Sequence, residues 1–151
     1  MNRERLHLTV AAVVQYKQRF LLVEETDKQT QQRVLNQPAG HVEEYEDLIS
    51  AVKRELFEET GLKLEPTAWL GISQLTAVNG HRYVRVNFIF EPSQLPENYQ
   101  PQDSDILALH WLTAQQMLDS PLAVRSHLVS DAITQYLQGV RLPLSCIAAA
   151  R

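Results

Sequence analysis

One segment of the chain carries a strong helical pattern, and it lies between segments that are typical of strands. From Glu46 to Thr60, apolar residues recur at the three- and four-residue spacings of one helix face, and Gly61 follows as a helix terminator. Runs rich in β-branched and aromatic residues precede and follow this segment. Strands and helices mixed in this way predict an α/β or α+β domain, in which helices pack against a sheet.

The remaining elements follow from the same periodicities and from turn residues. We predict strands over residues 6–14, 19–24 and 34–36 before the helix, and over 68–75, 81–91 and 106–112 after it. A loop is predicted around Pro38 and Gly40, and another over residues 92–104. Two further helices are predicted over 113–118 and 123–138. Because no repeat or linker divides the chain, we expect residues 1–151 to form one domain.

The composition excludes several classes of function. A formal net charge of −4 argues against nucleic acid as a partner, because binding to its backbone usually requires a basic surface. No apolar run approaches the length of a transmembrane helix, and the single cysteine cannot form an internal disulfide. We therefore expect a soluble, cytoplasmic protein that does not bind membranes, and no feature predicts its oligomeric state.

Three glutamates share one face of the predicted helix. Glu55, Glu58 and Glu59 fall within an arc of roughly 100°. Each like-charged pair costs about 0.2–0.5 kcal/mol, and the negative end of the helix dipole adds about 0.3–1 kcal/mol for each acid in the last turn. A bound hard cation such as Mg²⁺ or Mn²⁺ would offset these costs. A solvated charged face is the alternative interpretation.

The spacing around this cluster matches a known signature. From Gly40 the chain has five residues, Glu46, seven residues, Arg54-Glu55-Leu56, one residue, Glu58-Glu59, one residue and Gly61-Leu62. This resembles, without a single departure, the Nudix box of the Nudix hydrolase superfamily. The resemblance implies the Nudix fold, a mixed β-sheet sandwiched between α-helices. It also implies an enzyme that hydrolyses pyrophosphate bonds in nucleoside diphosphate derivatives by attack of water on phosphorus, with Mg²⁺ or, as an alternative, Mn²⁺.

The same resemblance assigns roles to the residues of the box. It implies that the metal ligands are Glu55, Glu58 and Glu59, with the backbone carbonyl around Gly40 as a further ligand. Glu46 and Arg54 are interpreted as a supporting pair that shapes the loop and orients the helix, and direct phosphate contact is the alternative for Arg54. The general base varies within the family, so the candidates are Glu55, Glu59 and, in a later loop, Asp103 and Asp105.

Three other residues are candidates for contact with substrate. Arg85 alternates with apolar residues in a predicted strand and is a candidate phosphate ligand, although a surface ion pair is the alternative. Arg33 and His41 flank the Gly40 loop and are candidate substrate contacts, with exposed loop side chains as the alternative. The remaining histidines show no spacing along the chain that suggests a metal site.

Segments outside the box resemble the NudJ phosphatase subfamily over nearly the whole chain. They include Thr9-Val10-Ala11, Leu22-Val23-Glu24-Glu25, Asn36 to His41, Asp103 to Ile106, Ser120-Pro121-Leu122 and Gly139 to Leu144. The resemblance implies that the substrates are nucleoside tri- and diphosphates and the pyrophosphate of the thiamine pyrimidine precursor. Dinucleoside polyphosphates or nucleotide sugars are alternative substrates. A non-catalytic, ligand-sensing Nudix domain is an alternative of another class.

Overall fold

The computed structural model describes residues 2–150 and contains a seven-stranded mixed sheet with three α-helices. The strands are β1 (Leu6–Tyr16), β2 (Arg19–Thr26), β3 (Arg33–Asn36), β4 (Ala39–His41), β5 (Ala68–Thr76), β6 (Arg82–Phe90) and β7 (Ile106–Leu112). The α-helices are α1 (Leu48–Thr60), α2 (Ala114–Asp119) and α3 (His127–Leu137), and short 3-10 helices span Arg3–Arg5 and Leu144–Cys146.

The sheet is organised around its longest strand, β1. The main path through the sheet runs β3-β2-β1-β6-β5, with β4 paired to β1 and β7 paired to β2. The pair β1–β6 is parallel, and the other pairs are antiparallel. β1 pairs with β2 only through its last two residues, Gln15 and Tyr16, and further along the same edge it pairs with β4. Polar side chains of β2, β3 and β6 gather beside β4, and this polar region is called the cleft.

Two apolar cores lie on opposite faces of the sheet. Val10, Ala12 and Val14 of β1 pack in one core with Val52 and Leu56 of α1. The intervening residue Val13 belongs to the other core, together with Val129, Ala132 and Ile133 of α3. Because side chains alternate across a strand, β1 supplies both cores at once. The predicted arrangement of a mixed sheet between helices is confirmed.

Helix α1 begins and ends at residues that suit those positions. The Asp47 carboxylate accepts a hydrogen bond from the backbone N–H of Ser50 at 2.7 Å and caps the N-terminus. Gly61 follows the helix with φ +81°, the left-handed conformation in which glycine is least strained. The predicted helix is thus present, and it starts at Leu48 rather than at Glu46.

The structure also corrects one predicted loop and the start of the last predicted helix. The segment predicted as a loop around Gly40 contains strand β4, which is only three residues long and pairs with Thr9 to Ala11 of β1. The last helix begins at His127 rather than at residue 123, because Ser126 caps it and the preceding residues pair with Leu35 of β3. In the part of the chain that the structure describes, no helix is long and apolar enough to span a bilayer.

Gly61 and Gly139 offer a matched test of how α1 is held. Both glycines follow a helix with φ near +80 to +90°, but a Cβ at Gly61 would collide with the Gln100 backbone, whereas a Cβ at Gly139 would meet nothing within 4 Å. We expect Gly139→Ala to cost about 1–2 kcal/mol of unfolding free energy from backbone strain alone. Gly61→Ala should cost more, measured by urea unfolding. Equal costs would show that the Gln100 contact adds nothing.

Candidate active site

The side chain of Arg54 gathers the acidic residues of α1 and of the loop before it. Its Nε donates to Glu46 Oε2 at 2.9 Å, and a terminal nitrogen also contacts Glu46 Oε1. The other terminal nitrogen donates to Glu55 Oε1 at 2.8 Å and to Glu58 Oε2 at 3.2 Å. These hydrogen bonds lower the pKa of Glu46 and raise that of Arg54. The guanidinium therefore offsets the repulsion among these acids.

Arg54 and Glu46 also hold the loop that connects β4 to α1. A terminal nitrogen of Arg54 donates to the backbone carbonyl of His41 at 3.0 Å. The Glu46 carboxylate in turn accepts the backbone N–H of Glu43 at 2.8 Å. Both ends of the connection are thus tied to one ion pair, which is the geometry expected of a supporting pair.

The glutamates Glu55, Glu58 and Glu59 of α1 are the box glutamates, and Glu59 is the most buried of them. It is 7% exposed, and its carboxylate accepts the backbone N–H of Ala39 in β4 at 2.8 Å. Burial, together with the neighbouring acids Glu25, Glu55 and Asp103, raises the pKa of Glu59 to about 9, against the effect of the Ala39 hydrogen bond. Glu59 thus joins α1 to β4 through a buried carboxyl group.

Gly40 lies against the carboxylate of Glu55. A Cβ atom at this position would collide with the Glu55 carboxyl group, so a residue larger than glycine would displace it. Burial also raises the pKa of Glu55, and the hydrogen bond from Arg54 opposes this rise. The absent side chain of Gly40 is therefore what lets Glu55 reach the β4 backbone.

The long loop over residues 92–104 contacts the end of α1. The backbone N–H groups of Gln102 and Asp103 donate to the carbonyl oxygen of Glu58 at 2.8 and 2.9 Å. Asp103 is near enough to influence the pKa of Glu59, whereas the side chain of Asp105 is exposed and makes no contact with the box glutamates within residues 2–150. Of the two loop acids, the structure brings Asp103 to the site.

Arg85 occupies a buried position next to polar side chains. It is 7% exposed, and its guanidinium donates to Gln37 Oε1 at 3.3 Å and to Asn36 Oδ1 at 3.4 Å. Burial, together with the charge of Arg125, lowers the pKa of Arg85 to about 10, so it remains positively charged at neutral pH. The structure therefore places Arg85 inside the cleft and not in a surface ion pair.

In the described structure, the side chains of Arg33 and His41 are not in contact with the carboxylates of Glu55, Glu58 and Glu59. Arg33 is exposed and forms an ion pair with Glu24 at 3.4 Å, on the sheet face that carries Leu35 and the α3 core. His41 Nε2 lies 3.0 Å from His7 Nδ1, and the other ring nitrogen of His7, Nε2, lies 2.7 Å from His81 Nδ1. The spacing along the chain did not indicate this histidine cluster. Neither Arg33 nor His41 has a side-chain contact with the box glutamates in the described structure.

The donor set of the box suits a hard divalent cation. Glu55, Glu58 and Glu59 offer carboxylate oxygens; Glu59 is buried and Glu55 half-buried, and both have raised pKa values, a cost that a cation would remove. In the described chain, no three acidic or histidine side chains already stand in a metal-holding arrangement. Arg54 holds Glu55 and Glu58, so a metal would compete with this guanidinium.

Four residues of the cleft were not predicted as site residues from the sequence, although the first three lie in segments that resemble NudJ: Glu25, Asn36, Gln37 and Arg125. The first three are polar residues at the ends of β2 and β3, whose other buried residues are mostly apolar. Polar residues at the end of an apolar strand could therefore have indicated a site. Arg125 carries no such signal, because its segment was predicted as part of a helix. Only the fold places it beside Glu25.

Comparisons with known proteins agree with this geometry. A family model described as the NUDIX domain matches residues 5–132. Phosphatase NudJ of Escherichia coli (strain K12) is 40% identical over 141 residues, which cover 93% of this chain and 90% of that protein. A structure of a NUDIX hydrolase from Nitrosomonas europaea has a TM-score of 0.86 at 34% identity and covers 95% of this chain and 97% of its own.

A more distant structure shares the fold alone. The NUDIX domain of Shewanella oneidensis NrtR, solved in complex with ADP ribose, has a TM-score of 0.68 at 23% identity and covers 87% of this chain and 88% of its own. The matched family model, the similarity to NudJ and the complete box agree. The chain therefore belongs to the Nudix hydrolase family and is an enzyme that acts on pyrophosphate bonds.

Proposed function

We propose that this enzyme uses Mg²⁺, with Mn²⁺ as a substitute, to hydrolyse nucleoside tri- and diphosphates. The observation that supports the proposal most directly is the set of box carboxylates around β4, of which Glu59 is buried and Glu55 half-buried at a cost that a cation would offset. Glu55, Glu58 and Glu59, with the backbone carbonyl of Gly40, would hold the metal. When bound, a divalent ion supplies neutralisation of phosphate charge and activation of water.

The chain's own residues would position the site and accept a proton. Arg54 and Glu46 fix the loop and the helix through the ion pair described above, and Arg54 also lies where it can meet a phosphate. Glu55, Glu59, Asp103 and Asp105 remain the candidates for the base that takes a proton from water. The position of Asp103 beside the end of α1 favours it over Asp105.

The similarity to Phosphatase NudJ supports phosphate release from nucleotides. By the same resemblance we include the pyrophosphate of the thiamine pyrimidine precursor among the substrates. Dinucleoside polyphosphates and nucleotide sugars form the second candidate class. The ADP ribose bound by the NrtR domain motivates this class. Buried Arg85 is the proposed phosphate ligand; Arg33 and His41 remain weaker proposals.

We further propose that residues 1–151 act as one domain, in the cytoplasm, on small phosphorylated molecules and without nucleic acid or membrane partners. The net charge of −4 supports the exclusion of nucleic acid. Our proposal specifies no oligomeric state.

Removal of a box carboxylate should abolish turnover while leaving the fold intact. We expect Glu58→Gln and Glu59→Gln each to reduce kcat by more than about 100-fold. Mutation of residues that only hydrogen-bond to metal ligands already reduces metal affinity or activity by roughly 10- to 100-fold, and a ligand itself should matter more. Turnover would be measured as phosphate or pyrophosphate released in Mg²⁺ from nucleoside tri- and diphosphates, the thiamine precursor pyrophosphate, diadenosine polyphosphates and nucleotide sugars. Circular dichroism would confirm that each variant is folded.

The matched control is Glu65→Gln. Glu65 lies just beyond α1 and pairs with Lys53 on the surface, so this variant should keep wild-type turnover. Full activity of Glu59→Gln, or of wild-type protein in excess chelator, would contradict the metal mechanism. Release of phosphate from the first two substrates supports the NudJ-like proposal, and selective cleavage of the last two would replace it with the second candidate class.

The raised pKa of Glu59 predicts a stability effect opposite in sign to its effect on activity. A carboxyl group whose pKa rises from about 4.3 to about 9 on folding stabilises metal-free protein fully below the lower value, and this contribution is lost as pH rises towards the higher one. Glutamine mimics the protonated acid. In chelator at pH 9, Glu59→Gln should therefore be at least about 1 kcal/mol more stable than wild type.

Urea unfolding at pH 5 and at pH 9 measures this effect. The advantage of Glu59→Gln should shrink as the pH falls to 5, and Glu65→Gln should show little change at either pH. Addition of Mg²⁺ at pH 9 should stabilise wild type more than Glu59→Gln. A variant that is less stable than wild type at pH 9 in chelator would show that Glu59 is not protonated in the metal-free fold.

A further inference from the structure

Backbone pairing fixes Arg125 at the mouth of the cleft. The Arg125 N–H donates to the carbonyl of Leu35 at 2.8 Å, and the Leu35 N–H donates to the carbonyl of Ala123 at 2.9 Å. The segment therefore runs beside β3 as a short parallel bridge. From this position the Arg125 guanidinium donates to Glu25 Oε1 at 2.7 Å. Its side chain remains 43% exposed, so it is accessible to a ligand.

Arg85 is buried but poorly satisfied. A guanidinium has five N–H donors, and within residues 2–150 Arg85 makes only the two long bonds to amide oxygens of Gln37 and Asn36. Both exceed the usual 2.7–3.2 Å range of N–H···O bonds. No carboxylate contacts it directly in the described chain. The charges of Glu25 and Glu59 raise the pKa of Arg85 from a distance, without a hydrogen bond to it, so its remaining N–H groups can still take an external anion.

A continuous network connects the two arginines. Asn36 Nδ2 donates to Glu25 Oε1 at 3.0 Å, and Asn36 Oδ1 accepts from Arg85. The carboxylate that Arg125 contacts is thus one side chain away from Arg85. Because the charge of Arg125 also lowers the pKa of Arg85, the two guanidinium groups are close enough to repel one another. Glu25 bonds directly to Arg125 but not to Arg85, so a phosphate that contacts both guanidinium groups would reduce this repulsion further.

The same network approaches the box carboxylates. Gln37, which contacts Arg85, is two residues from Ala39, which donates to Glu59. Two residues of extended chain span at most about 7 Å. The charges of Arg85 and Glu59 also influence one another, so Arg85 lies within the reach of a phosphate chain that is held at the box, and Arg125 is connected to Arg85 through Glu25 and Asn36.

On the basis of the proposed function, we propose that Arg125 and Arg85 form the subsite for the terminal phosphate of the substrate. Guanidinium groups bind phosphate oxygens through paired N–H donors, and two of them match the double negative charge of an unesterified phosphate. Arg85 lies at the buried end of the cleft, so the group bound there carries no bulky substituent. The subsite selects nucleoside di- and triphosphates over dinucleoside polyphosphates and nucleotide sugars.

Glu25 has a defined part in this subsite. Its carboxylate would repel the substrate if it were bare, but it is held by Arg125 and Asn36. Through these contacts Glu25 orients Arg125 before substrate arrives, which makes it a positioning residue. The remaining N–H groups of Arg125 are then available to the phosphate.

The test compares Arg125→Gln with Arg141→Gln. Arg141 pairs with Glu91 at the same 2.7 Å and is 44% exposed, but it lies near the far ends of β6 and α3. We expect Arg125→Gln to raise KM for a nucleoside triphosphate about tenfold or more while kcat changes less, since a charge-assisted hydrogen bond is lost. Arg141→Gln should leave both unchanged, and Arg125→Lys should restore part of the loss.

A binding measurement separates this proposal from the proposed function. Calorimetric titration with inorganic orthophosphate in Mg²⁺ should give a dissociation constant about tenfold or more higher for Arg125→Gln than for wild type and Arg141→Gln. Wild-type affinity in Arg125→Gln, or no phosphate binding by wild type, would overturn the subsite. Failure of wild type to hydrolyse nucleotides would instead overturn the proposed function.

A double variant separates phosphate binding from simple charge compensation. If Arg125 only neutralises Glu25, then Arg125→Gln combined with Glu25→Gln should recover wild-type affinity for orthophosphate. If Arg125 contacts the phosphate, the weaker affinity should persist in the double variant. Recovery would therefore overturn the proposed contact, and persistence would support it.

Discussion

The ion pair between Arg54 and the acids around it determines the geometry of the site. Without a cation, the carboxylates of Glu46, Glu55 and Glu58 would repel one another, and Glu58 also lies at the negative end of α1. The Arg54 guanidinium contacts all three and also the backbone before α1. Arg54 therefore organises the loop, the helix and the acidic cluster by itself, and the proposed metal would displace an existing set of hydrogen bonds.

The cleft has two walls of different charge. On one wall, the box glutamates supply carboxylates, and on the other, Arg85 and Arg125 supply guanidinium groups. The segment from Gln37 to Ala39 connects these walls, because Gln37 contacts Arg85 and Ala39 contacts Glu59. With the proposed metal bound, an acidic protein would accept a polyanionic substrate because metal and arginine would neutralise different parts of it.

Much of the fold followed from periodicity. The helix over α1, its Gly61 stop and most strands were predictable, because apolar spacing, β-branched residues and glycine report local structure directly. The β4 strand was not, since three residues that include a glycine carry no strand pattern. The start of α3 was missed because Ala123 to Arg125 pair with β3 through backbone atoms, which the side-chain pattern does not report.

The site was predictable only where its residues lie close together in the sequence. Glu55, Glu58 and Glu59 share one helix, so their spacing indicated a common face. The contacts of Glu59 with Ala39, and of Arg85 with Asn36 and Gln37, join segments that are distant along the chain. Burial of Arg85, the position of Asp103 and the approach of Arg125 likewise depend on tertiary packing.

The parallel pairing of β1 with β6 also determines when the site can form during synthesis. Leu6 lies opposite Arg82, and Val14 opposite Phe90, so the middle of the sheet joins the two halves of the chain. Contacts between residues that are so far apart in the sequence require the closure of a long loop, and they therefore make folding slower. On the ribosome, β1 must wait until β6 has emerged, although α1 and its glutamates are made earlier. The helix of the metal site is therefore exposed in the nascent chain before the wall that carries Arg85 exists.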